Sequence, residues 1–248
     1  MVLSSGKGDV SVRLYVITVI GIFSMLFALT TSVWSADSVT TTTLENDPEA
    51  VALLRKLEEK NADVDTVLGQ FDQVKQSSLF LEEIHSQGKF YFQKPEKFRC
   101  DYLPPNESQN WIVGNTAWLY VPEIKQVEKY QFSSEADSVE RLNRMLLGFG
   151  VSTADVLNVY HVNVAKDESS QGVTALRFTP LSKEPTLGFS HVTIWINEKQ
   201  LLPERIVIDE ESGDQTVISM TQIRLNRKIP EKTFQPVFPA DVEIIETH

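Results

Sequence analysis

The sequence predicts a mainly β chain under a helical cover, an α+β arrangement. About eleven short strands would form a barrel or a strongly curved antiparallel sheet. Three observations predict it. Short runs in which apolar and polar residues alternate recur at even spacing from Val67 to Ile245, which is the period of a half-buried strand. Turn-forming residues punctuate those runs, among them Pro95, Pro104-Pro105-Asn106, Gly114-Asn115 and Gly213. Two stretches, Asp47–Asn61 and Ala136–Gly150, carry apolar residues at helical spacing instead.

The chain opens on a segment that reads as targeting rather than fold. Lys7 and Arg13 precede an apolar run, Leu14–Leu29, broken only by Thr18, Gly21 and Ser24. Val33-Trp34-Ser35 then offers a cleavage site before Ala36, so residues 1–35 read as a signal peptide. An uncleaved anchor is the rival, since about 17–25 apolar residues span a bilayer. Residues 36–46, with Thr40–Thr43 in a row, read as a loose polar arm. Residues 47–248 would then form one domain.

That domain begins with a helix. Asp47 is placed as N-cap and Pro48 at the first helical position, and Val51, Leu53, Leu54 and Leu57 form the stripe that must cover the β-rich remainder. Strands are expected at Val67–Lys75, at about Leu79–Ile84, and then four times within Gly88–Pro122. There Phe90 and Phe92 share a face, Phe98, Cys100 and Tyr102 alternate, Trp111-Ile112-Val113 is a third run, and Trp118–Val121 follows the Gly114-Asn115 turn. Gln126–Phe132 is the next strand.

Val139, Leu142, Met145, Leu146 and Phe149 then define an amphipathic helix ended by Gly148 and Gly150. It reads either as an ordinary helix packed on the sheet or as a movable lid over its mouth. Ser152–Leu157 adds a turn capped by Ser152 or Thr153. Strands follow at Tyr160–Val164, Val173–Pro180, His191–Asn197, Leu202–Asp209, Gln215–Asn226 and Pro236–Ile245, with a helical turn at Pro230–Phe234.

Composition narrows the function classes. A net charge of −11 disfavours nucleic acid and anionic headgroups as partners. The single cysteine, Cys100, allows no internal disulfide and reads as a small buried hydrophobe. The four histidines show no metal-ligand spacing. Gly188-Phe-Ser190-His191-Val192 lacks the second glycine of a nucleophile elbow, and Gly148-Phe-Gly150 lacks the context of a dinucleotide loop. No catalytic constellation, cofactor motif or metal site is expected.

The apolar content of the alternating strands stands out instead. Phe90, Phe92, Phe98, Trp118, Tyr120, Leu176, Phe178, Ile194, Ile196, Ile206 and Ile208 are too many for an exposed face. A concave apolar face under a helical cover would enclose a lipid-sized cavity, and a closed barrel filled by these side chains is the alternative.

The order of several short motifs resembles the LolA family of periplasmic lipoprotein carriers. They are an N-terminal helix, Phe71-Asp-Gln73, Lys94-Pro95, Phe98-Arg99, Gly114 with Trp118-Leu-Tyr120, and Phe234-x-Pro236. The resemblance implies an unclosed antiparallel β-barrel of about eleven strands with a helical lid. It implies that the acyl chains of triacylated lipoproteins lie between sheet and lid, taken from an inner-membrane ABC transporter and passed to an outer-membrane receptor, without a covalent step.

The cavity would then be lined by Phe90, Phe92, Phe98, Cys100, Trp118, Tyr120, Leu176, Phe178, Ile194 and Ile206. Lys94 matches the family's basic residue before proline, which hydrogen-bonds toward the lid, and Cys100 stands where tryptophan is usual. Leu142, Met145 and Leu146 are placed on the lid face by periodicity. A monomeric periplasmic carrier is the first expectation. A sensor or envelope-regulatory domain of the same kind, binding a lipoprotein or glycolipid without transport, is the second, and an exported hydrolase the third.

Overall fold

Among the described residues the alternating runs become twelve strands of one sheet. The computed structural model describes residues 46–79, 83–131, 152–181 and 189–247. In chain order the elements are helix α1 (Pro48–Asn61), β1 (Thr66–Gln76), β2 (Glu83–Gln93), β3 (Lys97–Tyr102), β4 (Ser108–Val113), β5 (Thr116–Val121) and β6 (Gln126–Gln131). Then come helix α2 (Thr153–Val159), β7 (Tyr160–Val164), β8 (Val173–Pro180), β9 (Phe189–Asn197), β10 (Leu202–Glu210), β11 (Gln215–Leu225) and β12 (Glu243–Thr247).

The spatial order is β12-β6-β5-β4-β3-β2-β1-β11-β10-β9-β8-β7, with β7 and β12 at the two ends, so the sheet is unclosed. Every neighbouring pair is antiparallel except β12, which runs parallel to β6. The segment expected as a strand from Pro236 pairs only from Glu243 onward. The helix expected over Ala136–Gly150 lies outside the described residues.

The strand expected at about Leu79–Ile84 and the one from Gly88 are one strand, β2, whose described part begins at Glu83. Gly88 is no boundary. It pairs with Phe71 on one side and Tyr102 on the other. A Cβ there would lie 2.3 Å from the Phe71 ring and 2.5 Å from the Asp101 carbonyl oxygen. Glycine serves close approach here, because the far edge of the Phe71 ring sits against the backbone of β2. Gly69 does the same for Phe90, whose Cζ would be 2.7 Å from an added Cβ.

Helix α1 forms where the cap predicts. Asp47 is extended and its Oδ1 accepts from Glu49 N at 2.9 Å, a contact that, ahead of the smaller effects around it, holds the carboxyl below its ordinary value. Ala50, Leu54, Leu57 and Asn61 are the buried face of the helix. Its start is tied to the free edge of β7: Asp47 N donates to Val162 O at 3.0 Å, and Val162 N donates to Asn46 Oδ1 at 2.9 Å. Those bonds occupy backbone groups that would otherwise offer an open edge.

The inner face of the sheet follows from register. Phe178, Val192 and Ile208 form one cross-strand row, and Leu176, Ile194, Ile206 and Ile218 the next. On the other half, Phe92, Phe98, Ile112 and Ala117 align, as do Phe90, Cys100, Asn110 and Leu119. Most of these side chains, with the α1 stripe, join one buried apolar cluster. Ile112, Ala117 and Leu119 form a second, and Phe98 packs against both.

Candidate functional site

The stripe of α1 and the inner face of the sheet leave a cavity of about 370 Å³ between them, within the range of about 300–1,000 Å³ usual for small-molecule sites. Leu54 and Leu57 of α1 and Val156 of α2 form its roof. Leu176 and Phe178 of β8 and Ile194 and Ile196 of β9 form its floor. These are apolar groups on rigid elements, so the interior favours hydrocarbon and offers it little directional bonding. The polar residues of the lining are Glu58, Asn61, Lys94, Ser152 and Thr153.

Lys94 fixes the wall that α1 contributes. Its Nζ donates to Asn61 O at 3.1 Å and to Ala62 O at 2.9 Å, the last carbonyls of the helix. Helix carbonyls left over at a C-terminus carry partial negative charge, and a lysine there both satisfies and stabilises them. One turn earlier in α1, Glu58 Oε2 accepts from Thr153 N at 3.0 Å and so joins α1 to α2. Thr153 is the chief cause that lowers the Glu58 carboxyl below its ordinary value.

The structure distributes the expected cavity residues over several places. Leu176, Phe178, Ile194 and Lys94 line the cavity. Phe90, Phe92, Cys100 and Ile206 belong to the same buried cluster without lining it, and Phe98 packs on that cluster from the second one. Cys100 is buried between Phe90 and Asn110 in register, and burial pushes its thiol well above its ordinary value.

Trp118 and Tyr120 correct the expectation, because they lie on the opposite face of the sheet. Pairing aligns Ala117 with Ile112 and Leu119 with Asn110, which puts the small and aliphatic residues of β5 inward. Trp118 and Tyr120 pack outside with Trp111 and Val127, beneath Phe238 and Val242 of the returning C-terminal segment. Leu142, Met145 and Leu146 lie outside the described residues. Leu57, Glu58, Asn61, Thr153 and Val156 were absent from the expected site, although the α1 stripe already required something to cover.

Ser190 and His191 meet a partner that the sequence did not reveal. Ser190 Oγ is 3.2 Å from His191 Nδ1, and His191 Nε2 is 3.0 Å from Asp209 Oδ2. The Ser190 hydroxyl also lies 3.0 Å from the Asp209 carbonyl oxygen as its donor. His191 and Asp209 also flank a polar groove on the outer face, apart from the apolar cavity. Among the described residues no group of three His, Cys, Asp or Glu side chains is placed to hold a metal ion.

The fold and the site can be set beside known proteins. The family profile described as "Outer membrane lipoprotein carrier protein LolA" matches residues 62–237. The chain belongs to the LolA family. Curated relatives named outer-membrane lipoprotein carrier protein include one from Methylococcus capsulatus, 26% identical over 181 residues, 73% of this chain and 81% of the relative. One from Bordetella avium is 26% identical over 185 residues, 75% of this chain and 83% of the relative. Among solved structures, the LolA superfamily protein NE2245 from Nitrosomonas europaea is similar with a TM-score of 0.41 at 16% identity, over 75% of this chain and 97% of that one. The LolA match begins at Ala62, so α1, which roofs the cavity, precedes it.

Proposed function

We propose that this LolA-family chain is a non-enzymatic, monomeric periplasmic carrier that holds the acyl chains of triacylated lipoproteins between α1, α2 and the inner face of β8 and β9. The apolar cavity of about 370 Å³ carries this reading, with family membership beside it. Each methylene taken from water contributes about 0.8 kcal/mol, so an apolar cavity of this size holds hydrocarbon without any reactive group. The carrier would receive its cargo from an inner-membrane ABC transporter and yield it to an outer-membrane receptor. Such a carrier works between two membranes, in keeping with the export segment expected at residues 1–35.

The test is release of newly made lipoprotein from spheroplasts by the purified protein. A soluble one-to-one complex that an outer-membrane acceptor empties supports the carrier. Tight binding that no acceptor discharges replaces it with a sensor. Liberation of free fatty acid replaces it with a hydrolase.

A further inference from the structure

We propose that Glu58 is a latch, a positioning residue whose bond to α2 sets how readily the cavity admits an acyl chain; this rests on the acyl-carrier reading above. The two helices of the roof are held differently. Helix α1 is tied at both ends: Asp47 N bonds the edge of β7, and Lys94 Nζ bonds the carbonyls of Asn61 and Ala62. Helix α2 is tied to the sheet at its C-terminal end. There it runs on into β7, and Val159 O accepts from Leu181 N at 2.9 Å. Its other end reaches α1 through Thr153 N, which donates to Glu58 Oε2 at 3.0 Å.

Glu58 and Thr153 both line the cavity, so this bond closes the roof directly above the apolar interior. Breaking it frees the first turn of α2 to swing on its anchored C-terminal end. Val156, the roof residue of α2, moves with that turn. The bond is charge-assisted, yet Glu58 is an exposed side chain at the mouth. Water can replace Thr153 N as its partner, and that keeps the opening reversible.

The donor can be removed without disturbing the helix. Thr153 is the first residue of α2, where no intrahelical bond uses the N–H, and proline is favoured at that position. Ser152 before it has φ −75° and ψ 150°, the extended geometry that a residue preceding proline adopts. Ser152 Oγ keeps its own cap on Asp155 N. Thr153→Pro therefore deletes the N–H donor together with the Thr153 hydroxyl that also acts on Glu58, and Glu58→Ala deletes the acceptor from the other helix.

The experiment measures uptake of dansyl-undecanoic acid by stopped-flow fluorescence, alongside amide hydrogen exchange of the probe-free protein. Both single variants should speed uptake roughly tenfold, the factor expected for losing one charge-assisted hydrogen bond. The double variant should show the same tenfold, because both substitutions remove the same Glu58–Thr153 contact. Glu58→Gln, which keeps an acceptor oxygen, should fall between. Amides from Val156 to Tyr160 should exchange faster in the variants, while those of β9 and β10 keep their wild-type rates.

Unchanged uptake and unchanged α2 exchange in both single variants would overturn the latch, as would a roughly hundredfold effect in the double variant. Wild-type protein that takes up no probe would overturn the acyl reading instead, and α2 exchange would still decide whether the bond is a latch.

Discussion

Ile194→Phe separates an empty cavity from a filled core by the sign of its effect. Ile194 is buried at the floor, between Leu176 and Ile206 in register, on a central strand that accepts phenylalanine readily. The substitution adds about three carbons, and at about 0.8 kcal/mol each their burial in open space stabilises by at most about 2.4 kcal/mol. In a packed core the same carbons would overpack and cost about 1–3 kcal/mol. The ring also takes space from an occupant. An acyl chain that loses about three methylenes of contact loses about 2.4 kcal/mol, roughly fiftyfold in affinity. Urea unfolding gives the first quantity, and displacement of a fluorescent acyl probe gives the second. A variant that is less stable and binds the probe as tightly as wild type would refute both the cavity and its occupant.

Other substitutions test the parts around it. Lys94→Met keeps the alkyl stem and loses the two bonds to Asn61 O and Ala62 O; it should cost about 1–2 kcal/mol in urea unfolding and speed amide exchange in α1. Gly88→Ala should destabilise by about 3 kcal/mol, the top of the usual overpacking range, because the Asp101 backbone 2.5 Å from the new Cβ cannot turn aside. Tyr160 is buried with no hydrogen-bond partner for its hydroxyl among the described residues, and burial pushes its pKa up to about 12. Tyr160→Phe should therefore raise stability by about 1 kcal/mol, and a loss would show that the hydroxyl bonds water or cargo. Asp47 titrates with a depressed folded pKa, so its cap stabilises above the unfolded value of 3.8 and fades as pH falls through the depressed one. Asp47→Ala should lower stability at neutral pH and flatten that part of the acid profile, followed by circular dichroism.

Much of the fold was legible because its signals are local. Asp47-Pro48 starts α1 where a cap and a first-turn proline belong, and Gly114, at φ +57°, turns β4 into β5. Alternation gave nearly every strand, since burial of every second residue is written into a half-buried strand's own sequence. Gly88 misled for the same reason: a glycine reads as a boundary, whereas here the ring that needs its missing Cβ belongs to Phe71, seventeen residues earlier. Likewise β12 pairs with β6 in parallel across more than a hundred residues of chain, and no periodicity encodes such a pairing.

The candidate site depends more heavily on long-range facts. Alternation tells which residues of a strand share a face, but not which face looks inward. In β5 that choice rests on Ala117 and Leu119 meeting Ile112 and Asn110, and on Phe238 and Val242 arriving to shelter Trp118 and Tyr120. Aromatic size therefore pointed the wrong way: the larger side chains cover the outside, where a strap of chain needs broad apolar surface to grip. Small and aliphatic ones face the interior. The same reasoning separates the two halves of the sheet. Around Phe71 and Phe90, rings laid on Gly88 and Gly69 pack the interior tightly. Beneath α1 and α2, three aliphatic side chains and the Phe178 ring on β8 and β9 meet a helical stripe that does not interdigitate with them fully, and room remains. Open space thus arises where helices, not aromatic rings, cover the sheet.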